Sequence, residues 1–322
     1  MRLKITALAL AVMCLICGCT INDRQVFFSL SGPFTVMSIG PLSCKKAEAR
    51  LYYVNYKNLY DTVGETNLWD GDFDLEEVEE GIFKAAINHL CKVYVLNLYA
   101  KEADITLDYA QKNAAALAAR QYEESLSEEE IKKLGINSKN LKRMVERYAL
   151  AEIVYTELMN TVDEEVSEDE ARIMDAYVLY TTNKKLFKKL GVQIKNGATF
   201  ERLVATYSQQ DKGIVSFGRG TYPKKVEKVA FSLENDEISD GIKAKDGYYY
   251  IQCKDKYNEK LSEENKASII SSRKADVLKQ ILDDQYEKYD SMLNERMLKR
   301  IENEDYSGVE TDSFFSTIES YL

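Results

Sequence analysis

The hydrophobic pattern of this chain changes period twice, and no other feature constrains the fold as tightly. From Ala47 to about Val162, apolar residues recur at the three-to-four spacing of helices packed by one face. Around Met174–Tyr180 and Tyr248–Cys253 they give way to β-branched and aromatic runs. From about Ser262 to Asn303 the helical spacing returns, with Ile270, Val277, Ile281 and Met292 among its apolar positions. Helical segments therefore flank a middle block that must contain strands.

The helical blocks have recognisable stripes and starts. Val78, Ile82, Ala86, Leu90, Val93 and Leu96 fall on one face at helical spacing. Ser127-Glu128-Glu129-Glu130 has the form of a capping box, and Ser138 precedes a further periodic run through Leu141, Val145, Tyr148, Ala149, Ile153 and Leu158. His89, the chain's only histidine, lies in the first stripe. It is either a lone ligand or base or a hydrogen-bonded core residue, and no acidic or cysteine partner at helical spacing converges on it. In the middle block the order reads strand, helix at 186–194, turn at Asn196-Gly197, helix at 200–207, extended run at 213–219, helix at 224–231 and strand.

The N-terminus reads as a targeting segment. Arg2 and Lys4 precede an apolar run from Ile5 to Ile16 that is broken only by Thr6 and is too short to span a bilayer comfortably. It ends in Leu15-Ile16-Cys17-Gly18-Cys19, which resembles a bacterial lipobox. The resemblance implies cleavage of residues 1–18 and a lipid on the Cys19 thiol; a short signal anchor is the alternative. Residues 19–43 read as a tether or extended arm with one short strand.

Charge and residue counts exclude several classes. Lys and Arg number 43 against 53 Asp and Glu, a net charge of −10, so the basic footprint needed for nucleic acid is missing. One histidine rules out most imidazole metal sites and any histidine-activated nucleophile that does not use it. Neither a metal nor a cofactor is expected, and no Walker loop, Cys-x-x-Cys or Gly-x-Ser-x-Gly occurs. Once Cys14 and Cys17 leave with the signal and Cys19 carries lipid, Cys44, Cys91 and Cys253 remain as expected buried free thiols.

The middle block carries a family resemblance. Asn196-Gly197-Ala198-Thr199-Phe200-Glu201-Arg202-Leu203-Val204-Ala205-Thr206-Tyr207-Ser208 is similar to a segment of parvulin-type peptidyl-prolyl isomerases. Phe231-Ser232-Leu233, Glu237-Ile238-Ser239 and Gly247-Tyr248-Tyr249-Tyr250-Ile251 continue that family's order, over roughly residues 170–256. The whole arrangement resembles extracytoplasmic foldase lipoproteins of the PrsA type and SurA-type chaperones. It implies an α+β protein in which N- and C-terminal helices form a chaperone-like domain with a small parvulin-like α+β domain inserted. The blocks would be 1–18 signal, 19–43 arm, 44–167 helical domain, 168–258 parvulin-like domain, and 259–322 long C-terminal helix and tail packing on the N-terminal helices.

The resemblance also assigns candidate site residues. The family's two core histidines fall on Tyr177 and Tyr249, and its acidic position on Asp211 in a loop shorter than usual. The apolar proline cradle falls on Tyr222, Val226 and Phe231, with Phe217 in the extended run beside them. A phenol donates a hydrogen bond but, with an ordinary pKa of about 10, does not share a proton near neutrality as imidazole does. Tyr177 and Tyr249 are alternatively core tyrosines, and Asp211 a turn residue. The implied function is a foldase for unfolded or newly exported polypeptides, held by its N-terminal lipid on the outer face of the cell membrane. The other reading is a non-catalytic binding lipoprotein, a holdase or the receptor of one envelope partner, that uses the parvulin unit as a scaffold. The sequence leaves the oligomeric state open.

Overall fold

The computed structural model describes residues 35–63 and 75–322. The signal segment, Cys19 and the arm up to residue 34 lie outside the described residues. The chain forms two compact units, one from residues up to Thr161 with Ala275–Leu322, the other from Val162–Lys274.

The larger unit begins with a hairpin, β1 (Thr35–Ile39) and β2 (Leu42–Lys45), turned at Gly40. Gly40 has φ of +51°, and a Cβ there would sit 2.6 Å from the Tyr289 ring, so both backbone and packing call for glycine. Five helices follow: α1 (Lys46–Val63), α2 (Leu75–Glu102), α3 (Tyr109–Ser125), α4 (Glu128–Leu134) and α5 (Ser138–Asn160). The expected stripe of α2 is its buried face, with Ala86 and Leu90 completely covered. At α4 the Ser127 hydroxyl accepts from the Glu130 amide, the Glu130 carboxylate accepts from the Ser127 amide, and left-handed Gly135 ends the helix. Asn137, not Ser138, caps α5, because its side-chain oxygen reaches the amides of Lys139 and Asn140.

The C-terminal region completes the same core. The run from 262 to 303, expected as one helix, is instead α10 (Glu259–Lys288), strand β7 (Ser291–Leu293) and α11 (Glu295–Glu302). β7 pairs antiparallel with β1 to make the sheet β2-β1-β7, and Asn294 then caps α11 through the Met297 amide. The last helix, α12 (Phe314–Glu319), drives Phe314, Phe315 and Ile318 into the core. The Phe314 amide donates to Asn55 Oδ1 at 2.9 Å, while Asn55 Nδ2 donates to Tyr122 Oη at 3.1 Å. Burying a Phe side chain contributes about 2–3 kcal/mol, so Phe314→Ala would weaken the seat of α12, which Phe315 and Ile318 also hold.

One ion pair pins the helices together. Arg147 Nη1 donates to both Glu48 oxygens at 2.6 Å and its guanidinium lies 4.3 Å from the Tyr94 ring centroid, whose hydroxyl donates to Glu48 at 2.7 Å. Cys44 and Cys91 are buried here and form no disulfide among the described residues. His89 is a core residue: Tyr56 Oη and His89 Nδ1 lie 2.9 Å apart, and rings of Tyr52, Tyr148 and Phe315 surround it. Burial lowers its pKa to about 3, so it stays neutral.

The smaller unit is an antiparallel sheet in the order β4-β3-β6-β5, made of β3 (Met174–Thr181), β4 (Ile214–Phe217), β5 (Ile242–Lys243) and β6 (Tyr248–Asp255). Short α6 (Glu168–Ala171) leads in, α7 (Lys184–Lys195) and α8 (Phe200–Tyr207) join β3 to β4, and α9 (Lys224–Ala230) follows β4. Apolar residues at 186, 190, 200, 203 and 204 pack α7 and α8 on one face of the sheet, with Leu179 and Tyr250. Val226 and Ala230 of α9 cover the other face. The first turns of α10 close this unit: Ser262 Oγ accepts from the Ile173 amide, Asn265 donates to the Ala171 carbonyl, and Arg273 donates to Glu170. No helix among the described residues is long and apolar enough to cross a membrane.

Candidate functional site

Strand parity decides what the candidate residues can do together. β3 and β6 pair with Tyr180 opposite Tyr249, Val178 opposite Ile251, and Tyr177 opposite Gln252. Side chains alternate faces along a strand, so Val178 and Tyr180 stand beside Tyr249 and Ile251 under α9. Tyr177 points to the opposite face, toward α7 and α8. Its phenol is raised by burial, then by the charge of Glu201 and a hydrogen bond with it. The structure therefore does not bring Tyr177 to Tyr249. The aromatic residue beside Tyr249 is Tyr180, at 4.8 Å between ring centroids.

The other assigned residues do converge. Phe217 meets Tyr222 edge-on at 4.8 Å and Phe231 at 5.7 Å, and Tyr222 meets Tyr249 at 6.1 Å. These edge-to-face contacts, with the tilted Tyr249–Tyr180 pair, form a continuous row, Phe231–Phe217–Tyr222–Tyr249–Tyr180. Val226 is completely buried beneath it, Tyr249 is 1% exposed, Phe217 3% and Phe231 7%. Only Tyr222 of the cradle positions is half-buried. Asp211 is exposed, and its charge joins burial in raising the Tyr222 phenol.

Both inner phenols are tied to the turn before β6. Tyr249 Oη donates to Asp246 Oδ2 at 2.5 Å, and Tyr180 Oη donates to the Asp246 carbonyl at 2.6 Å. The Tyr180 ring packs against Gly247, where a Cβ would come to 2.5 Å from it. Burial raises the Tyr249 phenol, and the hydrogen bond and charge of Asp246 raise it further. It remains a neutral donor already committed to a carboxylate.

The outer end of the row is cationic. Arg219 sits 4.2 Å and Arg172 5.2 Å from the Phe231 ring centroid, and Arg172 also donates to the Phe231 carbonyl at 3.0 Å. A depression of about 330 Å³ opens there, lined by Arg219, Lys224, Glu227, Lys228, Phe231 and Ser232. Glu227 is buried and accepts from the Tyr222 amide at 2.9 Å.

Isomerising an X-Pro amide needs no covalent step, but it must offset part of a barrier of about 20 kcal/mol by binding the twisted amide better than the planar one. This face offers an apolar ring edge with cations beside it. It offers no imidazole, and its one fully buried phenol already donates to Asp246. Tyr180, Asp246 and the two arginines are not among the candidate residues that the sequence offers. For Tyr180 the sequence carries only the alternation that puts it on the side of Val178; that this side faces Ile251 and Tyr249 depends on the register of β3 with β6.

Residues 180–255 match the rotamase family described as the PPIC-type PPIase domain. The chain is 25% identical over 204 residues to the foldase protein PrsA of Geobacillus kaustophilus, a match spanning 60% of this chain and 69% of that protein. It is 27% identical over 149 residues to foldase protein PrsA 1 of Bacillus cereus, spanning 44% of this chain and 49%, about half, of that relative. A crystal structure of PrsA from Bacillus cereus aligns with 76% of this chain and 92% of its own, at 17% identity and a TM-score of 0.37.

Proposed function

We propose, taking the parvulin-type domain at residues 180–255 as the premise, that this protein is an extracytoplasmic foldase, a chaperone of unfolded, newly exported polypeptides. In this reading the parvulin-type domain holds extended client chain and contributes little prolyl isomerisation. The relatives named foldase and the PPIC-type match support the chaperone class. One observation carries the division of labour: the cradle face is filled by its own side chains, with Val226 at 0% exposure and Tyr249 bound to Asp246. A client would instead meet the outer end of the row, where the Phe231 edge, Arg219 and Lys228 border the 330 Å³ depression. An apolar edge flanked by cations suits extended chain carrying backbone carbonyls and acidic side chains.

The test is suppression of aggregation. The mature chain, Cys19–Leu322 without lipid, is mixed with two unrelated unfolded proteins, and light scattering is followed. The foldase reading expects both clients to be protected at near-stoichiometric ratios. Protection of neither, by a chain that is folded by circular dichroism, would point to a dedicated receptor.

Cys19 is the proposed lipid attachment site, which would place the protein on the outer face of the cell membrane. Cys19→Ser should move it from the membrane fraction to the soluble extracytoplasmic fraction. An unchanged membrane fraction would favour the signal-anchor alternative.

A further inference from the structure

Charge is divided unevenly between the two units. Residues 162–274 carry 20 Lys and Arg against 19 Asp and Glu, although the whole chain has a net charge of −10. The positive charge of the small unit is concentrated on α7, whose twelve residues include five lysines and no acid. Leu186, Phe187, Leu190 and Ile194 turn toward the sheet and join its core. At 100° per residue Lys184, Lys185, Lys188, Lys189 and Lys195 fall within an arc of about 140° on the opposite side. All five are exposed, and none forms an ion pair among the described residues. Val192 lies in the middle of that arc and is 59% exposed.

Two features set α7 apart from an ordinary solvated face. Some exposed lysines elsewhere have a carboxylate one turn away on their own helix, as in Lys84–Glu80, Lys142–Glu146, Lys260–Glu264 and Lys279–Asp283, and those with no ion pair among the described residues, such as Lys112 and Lys139, do not gather five to a helix without an acid. The lysines of α7 share one side of a helix that carries no acid and form no ion pair among the described residues, and like charges one turn apart repel unless an anionic surface meets them. The helix is also held rigidly, since Asn183 caps it through the Lys185 and Leu186 amides and its apolar stripe is packed. Its cationic face is thus presented as a fixed plane.

We infer that this face of α7 docks against the anionic phospholipid headgroups of the membrane surface, orienting the small unit on the bilayer. The inference rests on the reading that the chain is tethered at Cys19. Fifteen residues lie between that cysteine and β1, a reach of at most about 55 Å, so headgroups are always close by. The contact is electrostatic, because the apolar side of α7 is occupied by the sheet and only Val192 is available to enter the interface. The acidic remainder of the chain is repelled by the same surface, which favours one orientation over others.

The test uses the mature chain, Cys19–Leu322, without lipid, so that it does not depend on acylation. Its co-sedimentation is measured with vesicles of phosphatidylcholine alone and of phosphatidylcholine with phosphatidylglycerol. The inference expects binding only to the anionic vesicles. That binding should be lost between about 0.1 M and about 1 M salt, as the Debye length falls from about 10 to about 3 Å. Replacing Lys184, Lys185, Lys188, Lys189 and Lys195 together by Gln, a comparable helix former, should lower the partition coefficient at least about a hundredfold. The same replacement at exposed Lys101, Lys112, Lys132, Lys139 and Lys142 of the large unit should leave it within about threefold. Equal binding to both vesicle types, salt-insensitive binding, or equal loss in the two variants would overturn the inference. The salt titration of the parent does not rely on any variant folding. Membrane release by Cys19→Ser in cells tests the tether separately, so failure of one reading is distinguishable from failure of the other.

Discussion

Tyrosine does different work in the two units. In the large unit each of several buried phenols fastens one segment to another: Tyr94 to Glu48, Tyr122 to Asn55 and Thr311, and Tyr148 to Glu319. In the small unit Tyr222, Tyr249 and Tyr180 belong to a row of rings on one sheet face, and the inner two phenols close on the nearby Asp246 turn. The same residue type is core fastening in one place and the lining of a candidate binding face in the other. Burial and partner, not residue identity, separate the two roles.

The largest effect that would sharpen this contrast is expected at the ion pair of the large unit. Arg147→Ala leaves Glu48, whose side chain is 4% exposed, without its cation and should cost about 3–5 kcal/mol in urea unfolding followed by helical signal. A loss under about 1 kcal/mol would mean that the helices are not fastened there.

A pH effect of intermediate size is expected at the C-terminal helix. Glu152 is pushed up to about 7 by burial first and then by the charge of Glu319, which burial also raises. A carboxyl raised in the fold is stable protonated, so stability is present at low pH and is lost as pH climbs from the ordinary carboxyl value to about 7. Glu152→Gln should therefore raise stability above about pH 8 by on the order of 2 kcal/mol and change little below about pH 5. Melting curves at the two pH values check it, and an equal shift at both would rule out the carboxylate pair as the cause.

Smaller effects distinguish phenols directly. Tyr249→Phe removes a hydrogen bond to a carboxylate and should destabilise the small unit by about 1–2 kcal/mol, read by amide exchange in β6. Tyr52→Phe should be neutral or stabilising by at most about 1 kcal/mol, because the Tyr52 hydroxyl is buried with no hydrogen-bond partner among the described residues. If both changes behaved alike, the distinction between bonded and orphaned phenols would fail.

Much of the fold was legible because helix stripes and strand runs are local. The buried face of α2, the capping box at Ser127 and the strands around Tyr177 and Tyr249 all follow from spacing within a few residues. Strand β7 was not legible: Ser291-Met292-Leu293 sits in a helix-like composition, and its partner β1 lies some 250 residues away. At the candidate site the order of segments could be read, but the face could not. A one-residue offset reverses every side chain of a strand, which is why Tyr177 and Tyr249, matched by position, stand on opposite sides while Tyr180 and Tyr249 touch. The occupation of the cradle by Tyr222 and Phe217 depends on packing between β4 and the segment before α9, which residue types alone do not specify.

Whether the tyrosine-lined face is catalytic is read from cis-to-trans relaxation of a prolyl peptide with the unlipidated mature chain, beside its Asp211→Ala and Tyr249→Phe variants. With the cradle filled and the Tyr249 phenol committed to Asp246, the expected result is relaxation at the uncatalysed rate in a preparation that still protects unfolded clients from aggregation. Acceleration by the parent that disappears in both variants would contradict this and make the tyrosine-lined face a working isomerase site.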